Sequence, residues 1–334
     1  MRSRTVTPQS TRRLPKIAPA DDIAGLSLSQ HLLSGLAMSN CQSFPIQRRP
    51  ELTGVWLPII TPFSNRAVDL KSLERLLHDY LDKGLGGIMP LGTTGESPTI
   101  EDDEVDAIVE LTGKVIGDRL PIYVGIGGNS TAKVIETLRR LERYAFTGLL
   151  SVCPYYSRPN EEGICRHFEQ IAKSTERKIV IYNIPYRTGV NLSNDAVLAL
   201  SQLPNIVGLK DSCANLAQSG DLLRRKAPGF SVLTGEDAQF YTTLALQGDG
   251  GILAAAHFRP EIFVEVFQRM KENNFHAAHS SWLQIEPSVH LLFKEPNPMP
   301  IKHLLWRRGL IESPECRLPM TTISADLAKE LDAL

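Results

Sequence analysis

An alternation of short apolar runs with helical patterns dominates the chain from Gly54 onward, and it limits the possible folds more than any other feature. The runs are rich in β-branched residues and apolar on both faces, as strands are in a parallel sheet that helices cover. Eight such runs occur, at residues 55–60, 87–91, 121–126, 148–153, 179–184, 206–210, 231–234 and 251–254. Eight consecutive strand and helix units favour a closed (β/α)8 TIM barrel of the α/β class over an open doubly wound sheet.

Helical patterns separate and follow these runs. In the first of them Asp69 is placed to cap the helix and Gly84 to end it, and one face is apolar at residues 70, 73, 76, 77, 80 and 81. Beyond the eighth run, further helices are predicted near 275–293, near 299–309 and from Ser324 onward. The predicted organisation is a catalytic barrel over residues 51–260, followed by the last barrel helix and a C-terminal helical region over residues 261–334.

Residues 1–50 differ from the rest of the chain. Arginine, serine, threonine, proline and glutamine occur there without a sustained apolar period, which predicts a mostly disordered extension. Three interpretations stay open: a simple tail, a translation start placed ahead of the true one at Met38, or an organelle transit peptide, against which Asp21 and Asp22 count.

The overall charge and hydropathy exclude several classes of partner. The 334 residues include 36 Lys and Arg against 37 Asp and Glu, and a net charge of −1 offers no global field for nucleic acid or an acidic membrane. No stretch approaches the roughly 18 apolar residues that a membrane span requires. We therefore expect a small-molecule partner, and neither nucleic acid nor a membrane.

The cysteines and histidines show no disulfide or metal-binding pattern. The five cysteines are scattered, odd in number and without C-x-x-C spacing, so we expect reduced thiols and a cytoplasmic protein. His276 and His279 form an H-x-x-H pair without a nearby third ligand, which indicates a solvated helix surface. Neither a metal nor another cofactor is expected.

Polar residues at the carboxyl ends of barrel strands carry most weight, because the active sites of such barrels lie there. The second run ends in GTTGES at residues 92–97, which holds the hydroxyls of Thr93 and Thr94 between glycines, ahead of a helix that Thr99 is placed to cap. Glycines let the backbone approach a ligand, and free amides at a helix start favour a carboxylate or phosphate. The alternative is a plain turn between strand and helix.

Lys210 closes the sixth run, where its side chain is predicted to enter the mouth of the barrel. Desolvation there lowers the pKa of the amine and frees it as a nucleophile toward a carbonyl. Tyr182 belongs to the adjacent fifth run and can shuttle protons through carbinolamine, imine and enamine steps, and Arg187 in the loop above can grip a carboxylate. Taken alone, Lys210 could be a lysine whose stem lies on apolar surface and whose amine reaches water, Tyr182 a core aromatic and Arg187 a surface cation. Taken together, they predict Schiff-base chemistry on an oxo acid.

Six motifs resemble a known family, the pyruvate-dependent class I aldolases typified by dihydrodipicolinate synthase and N-acetylneuraminate lyase. They are GTTGES at 92–97, PYYSRP at 154–159, IYNIPYRTG at 181–189, GLKDS at 208–212, GGI at 250–252 and EPNPMPIK at 295–302. The motifs stand in the family's order and spacing over about residues 52–323, and residues 1–50 lie outside the resemblance.

The resemblance implies the catalytic roles. Lys210 would form an imine with pyruvate, and Tyr182 would donate and accept protons in a relay with Thr93 and with Tyr156, which would reach in from a neighbouring subunit. A homo-oligomer is implied, at least a dimer and by family habit a dimer of dimers.

The resemblance also implies the binding roles. The backbone around Thr94 and Ile252 would hold the pyruvate carboxylate, and Arg187 would bind the carboxylate of the second substrate, which distinguishes the synthase from the sugar-acid aldolases. EPNPMPIK followed by CRLPM also resembles the synthase. The implied reaction is the condensation of pyruvate with L-aspartate 4-semialdehyde to 4-hydroxy-tetrahydrodipicolinate, the committed step toward diaminopimelate and lysine.

Two stretches depart from the pattern of the synthase. The sequence Ala254-Ala255-Ala256-His257 has no close match there, and it is one place where the pocket for the second substrate is expected to differ. Tyr186, between Pro185 and Arg187, is bulkier than the small residue often found at that position.

The lysine-effector pattern of the family is only partly present. In inhibited members lysine binds at a subunit interface that uses a helix acid and histidines. Three residues fit: Ser97, Asn129 and Tyr155. Lys133, however, stands where the acid would be, with Asp102 and Val105 at the histidine positions, and its charge would repel the ammonium groups of lysine. We therefore expect weak or absent feedback by lysine.

Two other functions stay open. One is an aldolase of the same mechanism that acts on a sugar acid or on 4-hydroxy-2-oxoglutarate. The other is a non-catalytic barrel that binds an oxo acid as a sensor or structural subunit, against which the set of Lys210, Tyr182, Thr93 and Tyr156 counts.

Overall fold

A computed structural model describes residues 51–334. The predictions for residues 1–50, namely the disordered extension, its alternatives and the thiol of Cys41, lie outside the described residues. Between residues 51 and 334 every helix is too short or too polar to span a membrane.

Eight parallel strands form the central sheet. Residues 51–334 contain ten strands, and all but β2 and β3 belong to this sheet. In chain order they are β1 (Gly54–Leu57), β2 (Phe63–Ser64), β3 (Ala67–Val68), β4 (Gly87–Ile88), β5 (Tyr123–Gly125), β6 (Gly148–Val152), β7 (Lys178–Asn183), β8 (Ile206–Asp211), β9 (Ser231–Thr234) and β10 (Gly250–Ile252). The sheet runs β4-β1-β10-β9-β8-β7-β6-β5, and a parallel bridge from Ile88 to Ile122 joins its two ends. The predicted (β/α)8 barrel is therefore confirmed.

Strands β2 and β3 form an antiparallel hairpin that the apolar pattern did not predict. Asn65 and Arg66 make its turn, with φ of 52° and 68° in the left-handed region that a two-residue hairpin turn requires. β1 ends at Leu57, three residues before the end of the predicted run, although residues 58–62 stay buried. An apolar run thus indicates burial, and a buried loop after a strand gives the same signal as the strand itself.

Helices follow the barrel strands and cover the sheet. In chain order they are α1 (Leu70–Leu81), α2 (Asp102–Ile116), α3 (Thr131–Leu141), α4 (Glu161–Lys173), α5 (Pro185–Thr188), α6 (Asn194–Leu200), α7 (Leu216–Arg225), α8 (Phe240–Ala245), α9 (Pro260–Lys271), α10 (Phe275–Leu292), α11 (Met299–Arg307) and α12 (Ala325–Leu331). The last three are the predicted C-terminal helices, and Ser324 caps α12 through the Leu327 amide at 3.3 Å.

The first helix shows how the apolar pattern becomes packing. Asp69 caps α1 as predicted, since its Oδ1 accepts the Ser72 amide at 3.0 Å. Leu70, at the first helical position, is exposed, whereas the other five apolar residues of the predicted face are buried: Leu73, Leu76, Leu77, Tyr80 and Leu81. Gly84 follows the end of the helix with φ of 73°, as a residue that stops a helix does.

The cap predicted at Thr99 is wrong. A short 3₁₀ turn, Ser97–Thr99, precedes α2, and Thr99 Oγ1 donates to the Glu96 carbonyl at 3.0 Å inside that turn. The N-cap residue of α2 is Glu101, whose amide donates to Glu104 Oε2 at 3.1 Å in a capping box. The hydroxyl of Thr99 is therefore used before the helix begins.

Two apolar cores hold the barrel together. Successive strand residues face opposite sides of a sheet, so Val55 and Leu57 pack with the helices in the larger core while Trp56 belongs to the smaller one. The smaller core contains residues of the strands and of their immediate flanks: Leu52, Trp56, Met89, Tyr123, Leu150, Val180, Tyr182, Ile184, Leu233 and Ile252. The barrel interior is thus packed, and Tyr182 and Ile252 are part of that packing.

Candidate active site

Lys210 and Tyr182 lie side by side near the carboxyl ends of two neighbouring strands. Tyr182 on β7 is in register with Lys210 on β8, and Lys210 Nζ lies 4.3 Å from the centre of the Tyr182 ring. Only 6% of Lys210 and 5% of Tyr182 is exposed. The structure therefore brings together the two residues that strand order placed next to each other, and it removes the amine from bulk water.

Burial sets the protonation of both groups. Desolvation lowers the pKa of Lys210 to about 8, against the opposing effect of the carboxylates of Asp237 and Glu236. A larger fraction of this amine is therefore neutral at pH 7 than of a lysine with an ordinary pKa. Burial raises the pKa of the Tyr182 phenol, which therefore stays protonated near neutral pH.

Asp237 is a site residue that the sequence analysis missed. It is buried just after β9, and its Oδ1 accepts the Ala255 amide at 2.6 Å. Burial raises the pKa of its carboxyl, and Lys210 opposes that shift. The signal was present, because a charged pair, Glu236 and Asp237, follows the seventh strand at the same mouth of the barrel as Lys210.

Gly235 leaves the space that Lys210 occupies. A β-carbon at this position would lie 2.6 Å from Lys210 Cε and 2.3 Å from Ser212 Oγ. The lysine stem thus lies against the backbone of the chain after β9, which limits its freedom to turn away from the barrel mouth.

The turn that contains Thr93 and Thr94 follows β4 at the same mouth. The Gly95 amide donates to the Gly92 carbonyl at 3.0 Å, and the Gly95 carbonyl accepts the Thr61 hydroxyl at 2.8 Å. Thr93 is half-buried and Thr94 is buried. The glycines thus close a tight turn that is tied to the loop after β1.

A cavity of about 610 Å³ gathers three of the predicted site residues. Thr93, Tyr182 and Arg187 line it, whereas Lys210 does not line it. Arg187, in α5, is exposed, and its guanidinium lies 5.3 Å from the centre of the Tyr186 ring. The bulky Tyr186 is therefore stacked beside the arginine.

Three more predicted residues are not among those that line this cavity: Thr94, Tyr156 and Ile252. Tyr156, in the loop after β6, is 89% exposed and is not among the residues that line the cavity, although its neighbour Tyr155 is. Ile252 is buried in the inner core on β10. The chain itself therefore does not bring the Tyr156 phenol to Tyr182.

The residues of the partial effector pattern also line this cavity: Ser97, Asp102, Val105, Asn129, Lys133 and Tyr155. Asp102 Oδ1 pairs with Arg140 Nη2 at 2.9 Å, which compensates its charge. Lys133, on α3, is exposed. The cavity therefore carries a positive charge where the pattern has an acid.

The stretch Ala254–His257 is part of the scaffold. It is buried, and none of its residues lines the cavity. His257 Nε2 accepts the Ile60 amide at 3.2 Å, and Nδ1 contacts the Ala254 carbonyl at 2.8 Å. These residues, which differ from the synthase pattern, thus connect the loops after β1 and β10, and they do not line this cavity.

Within residues 51–334 the structure groups no three metal-binding side chains. His276 and His279 are exposed on α10, as their pattern predicted.

Relatives of known name share this barrel. Residues 51–334 match the model of the Dihydrodipicolinate synthetase family. The chain is 49% identical over 282 residues to 4-hydroxy-tetrahydrodipicolinate synthase 2 of Clostridium acetobutylicum, over 84% of this chain and 99% of that protein.

Solved structures of the same family superpose on the barrel. One is described as the first monomeric dihydrodipicolinate synthase variant, with a TM-score of 0.82 and 33% identity over 85% of this chain and 95% of the other. Another is the enzyme of Cyanidioschyzon merolae with lysine bound, with a TM-score of 0.82 and 30% identity over 85% of this chain and 97% of the other.

A (β/α)8 barrel with a buried lysine beside a buried tyrosine at its mouth defines a class I, Schiff-base lyase. The chain belongs to the dihydrodipicolinate synthetase family, and the resemblance based on the six motifs is confirmed.

The titration of Lys210 should have its midpoint near pH 8. The ¹³Cε resonance of Lys210, assigned by its loss in Lys210→Met, should shift between roughly pH 7 and 9, whereas exposed lysines shift above about pH 10. Asp237→Asn removes a carboxylate that favours the ammonium but keeps an oxygen for the Ala255 amide, so it should move the midpoint to lower pH. A Lys210 midpoint above pH 10, or one that Asp237→Asn leaves in place, would contradict this account.

Proposed function

We propose that this chain condenses pyruvate with L-aspartate 4-semialdehyde to 4-hydroxy-tetrahydrodipicolinate, a step in the synthesis of diaminopimelate and lysine. The observation that carries the proposal is the buried amine of Lys210 beside the phenol of Tyr182. It is supported by 49% identity to a relative named for this reaction and by an adjoining cavity of about 610 Å³, a size suited to small substrates.

Lys210 begins the reaction as a neutral amine. Nζ attacks the keto carbon of pyruvate, a carbon–nitrogen bond forms, and the carbinolamine loses water to give an imine. The imine withdraws electrons from the methyl carbon of pyruvate, which gives up a proton and becomes the nucleophilic carbon of an enamine. Tyr182 donates the proton that leaves with the water, and it passes on the proton that the methyl group releases.

The enamine then attacks the aldehyde carbon of the second substrate. A carbon–carbon bond forms, and the aldehyde oxygen takes up a proton and becomes the hydroxyl of the product. The amine of the second substrate attacks the imine carbon, closes the ring and releases Lys210, so the sum of all steps is the loss of one water. Arg187 holds the carboxylate of this substrate with its planar guanidinium, which Tyr186 stacks against.

The high pKa of Tyr182 calls for a relay, because a phenol that costs much to ionise must exchange its proton with a neighbour. We assign the relay to Thr93, which lines the cavity with Tyr182, and to Tyr156 of a second copy of the chain. We assign the pyruvate carboxylate to the backbone around Thr94 and Ile252.

The four described cysteines are unpaired, which supports a location in the cytoplasm: Cys153, Cys165, Cys213 and Cys316.

Pyruvate and borohydride together should inactivate the protein and attach one reduced pyruvate unit to Lys210, as seen by peptide mass spectrometry. Lys210→Arg keeps the positive charge but has no free nucleophile, so it should show no adduct and no turnover. Tyr182→Phe should still bind pyruvate but lose roughly 10²-fold or more in turnover. A non-catalytic oxo-acid-binding barrel predicts no adduct in the unchanged protein, and that outcome would end the proposal.

The same preparations distinguish the second substrate. Turnover of aspartate 4-semialdehyde should exceed that of sugar-acid and 4-hydroxy-2-oxoglutarate substrates, and Arg187→Ala should raise its KM by about 10- to 100-fold, the loss expected for a charged hydrogen bond. An adduct at Lys210 without turnover of aspartate semialdehyde would leave the aldolase mechanism standing but reject this substrate.

We propose at least a dimer, and by family habit a dimer of dimers, because the exposed Tyr156 completes the relay only from another chain. Tyr156→Phe and Lys210→Ala should each be nearly inactive, yet a mixture dissociated and reassembled should recover about a quarter of the unchanged activity: half of the dimers are mixed, and one site in each is intact. A mixture that stays inactive, or a fully active monomer in sedimentation, would contradict the shared site. One relative is itself described as monomeric, so the sedimentation result is informative either way.

Lysine should inhibit the enzyme weakly or not at all, because Lys133 adds a positive charge to the cavity at the position where the effector pattern has an acid. Lys133→Glu reverses that charge and should lower the lysine concentration that halves the rate, whereas Lys133→Met should change it less. Strong inhibition of the unchanged enzyme by sub-millimolar lysine in a steady-state assay would refute this expectation.

A further inference from the structure

Asn297 connects the C-terminal region to the turn at the barrel mouth. It lies between α10 and α11, and its Nδ2 donates to Thr94 Oγ1 at 2.9 Å across 203 positions of sequence. Both side chains are buried, with 8% of Asn297 and 3% of Thr94 exposed. The hydrogen bond is therefore shielded from water and acts directly on a residue of the GTTGES turn.

The direction of this hydrogen bond decides what the threonine can do. A hydroxyl has one proton to donate and two lone pairs that accept. Because the amide of Asn297 donates, the oxygen of Thr94 accepts, and its own proton is left for another acceptor. Within residues 51–334 the Thr94 hydroxyl donates to no protein group, and its backbone amide donates to none either. The hydroxyl and the backbone amide of Thr94 are thus two donors on one buried residue, and together they suit an anion.

The other end of the Asn297 amide points to a role at the cavity. Its Oδ1 is buried and accepts no hydrogen bond from any residue between 51 and 334, and Asn297 lines the same cavity as Thr93 and Tyr182. A buried polar atom without a protein partner is costly and is kept where a ligand or water completes it. A residue that served only to fasten the C-terminal region would have no use for such an atom at the cavity wall.

The surroundings hold Asn297 against Thr94. Two residues further along the turn, Glu96 pairs through Oε1 with Lys302 Nζ at 2.5 Å, with both groups almost fully buried. Glu96 Oε2 also accepts the Arg317 amide at 3.0 Å. The C-terminal region thus grips the turn at Thr94 and again at Glu96, which fixes the amide and the hydroxyl relative to each other.

We propose that Asn297 is a positioning residue that turns the Thr94 hydroxyl so that its proton points toward the carboxylate of the bound oxo acid. The proposal rests on the proposed function, which supplies the oxo acid. Asn297 acts through Thr94, and its effect is on the binding of pyruvate more than on the later proton transfers.

Two variants test this role through the KM for pyruvate. Asn297→Ala frees the Thr94 hydroxyl to rotate and should raise this KM by about 3- to 10-fold, the range of one neutral hydrogen bond. Asn297→Asp has the same shape but only accepts, so it captures the Thr94 proton, sets a negative charge near the substrate and should raise the KM by about 10- to 100-fold. Turnover at saturating pyruvate should change less than the KM in both.

A double-mutant cycle separates positioning from folding. Thr94→Val removes the hydroxyl, and in that background Asn297→Ala should change the pyruvate KM by less than about twofold, since its effect passes through Thr94. Glu295→Ala is the matched control: it removes the contacts of Glu295 with the Ser324 amide, at 3.1 Å, in the same segment without touching Thr94, and it should leave the KM unchanged.

The outcomes distinguish the proposal from the function on which it rests. If the unchanged protein forms no pyruvate adduct at Lys210, the proposed function fails and this role fails with it. If the adduct forms but Asn297→Ala and Asn297→Asp leave the KM within twofold, or the effect of Asn297→Ala persists undiminished beside Thr94→Val, the positioning role alone is overturned. The role is supported by a larger rise in KM for Asn297→Asp than for Asn297→Ala, together with an Asn297→Ala effect that disappears beside Thr94→Val.

Discussion

The removal of one amine from water is the constraint on which the rest of the site depends. Lys210 is held in the barrel mouth by its place on β8, and the absence of a side chain at Gly235 leaves room for its stem. Desolvation alone would push the lysine further toward the neutral form, and the carboxylates of Asp237 and Glu236 oppose that push. Burial therefore favours the neutral amine, which can attack a carbonyl, while the two carboxylates stabilise its ammonium form.

A second constraint comes from outside the barrel. Lys302, on α11, is fully buried, and besides Glu96 it reaches the Glu315 carbonyl at 2.8 Å and the ring of Phe63, 4.0 Å from its Nζ. A buried ion pair adds little stability by itself, because desolvating two charges offsets most of their attraction. It does impose a single arrangement, since either charge left alone in the core would be costly. The C-terminal helices thus specify the shape of the turn that carries Thr93 and Thr94.

The sequence predicted the features that follow from periodicity. The barrel came from eight apolar runs, and the Lys210 and Tyr182 pair came from the neighbour order of strands in a closed sheet, which needs no knowledge of side-chain packing. Local errors arose where one signal has two sources: Thr99 has the side chain of a cap but donates within a 3₁₀ turn, and Leu70 continues an apolar face but lies at its exposed end.

The residues that the sequence could not indicate are those whose meaning depends on distant partners. Asn297 belongs to a motif that identified the family, but its contact with Thr94 spans 203 positions, and no periodic pattern encodes it. Asp237 is different, because a carboxylate after a barrel strand is visible in the sequence. A buried amine is stabilised in its charged form by a nearby carboxylate, so the acidic pair Glu236 and Asp237 after the seventh strand was the signal for this residue.

One cavity contains both residues of the proposed catalytic site and residues of the partial effector pattern. Thr93, Tyr182 and Lys133 all line it, and so does Ser97, which follows Thr93 in the GTTGES motif. A molecule that touched both Lys133 and Ser97 would therefore contact the segment that Asn297 and Lys302 hold in place. Such a molecule alters the reaction only if it binds two states of that segment with different affinity. The charge of Lys133 disfavours cationic ligands in this cavity, and any effect on the reaction has to pass through a turn that the buried contacts of Thr94 and Glu96 hold in one arrangement.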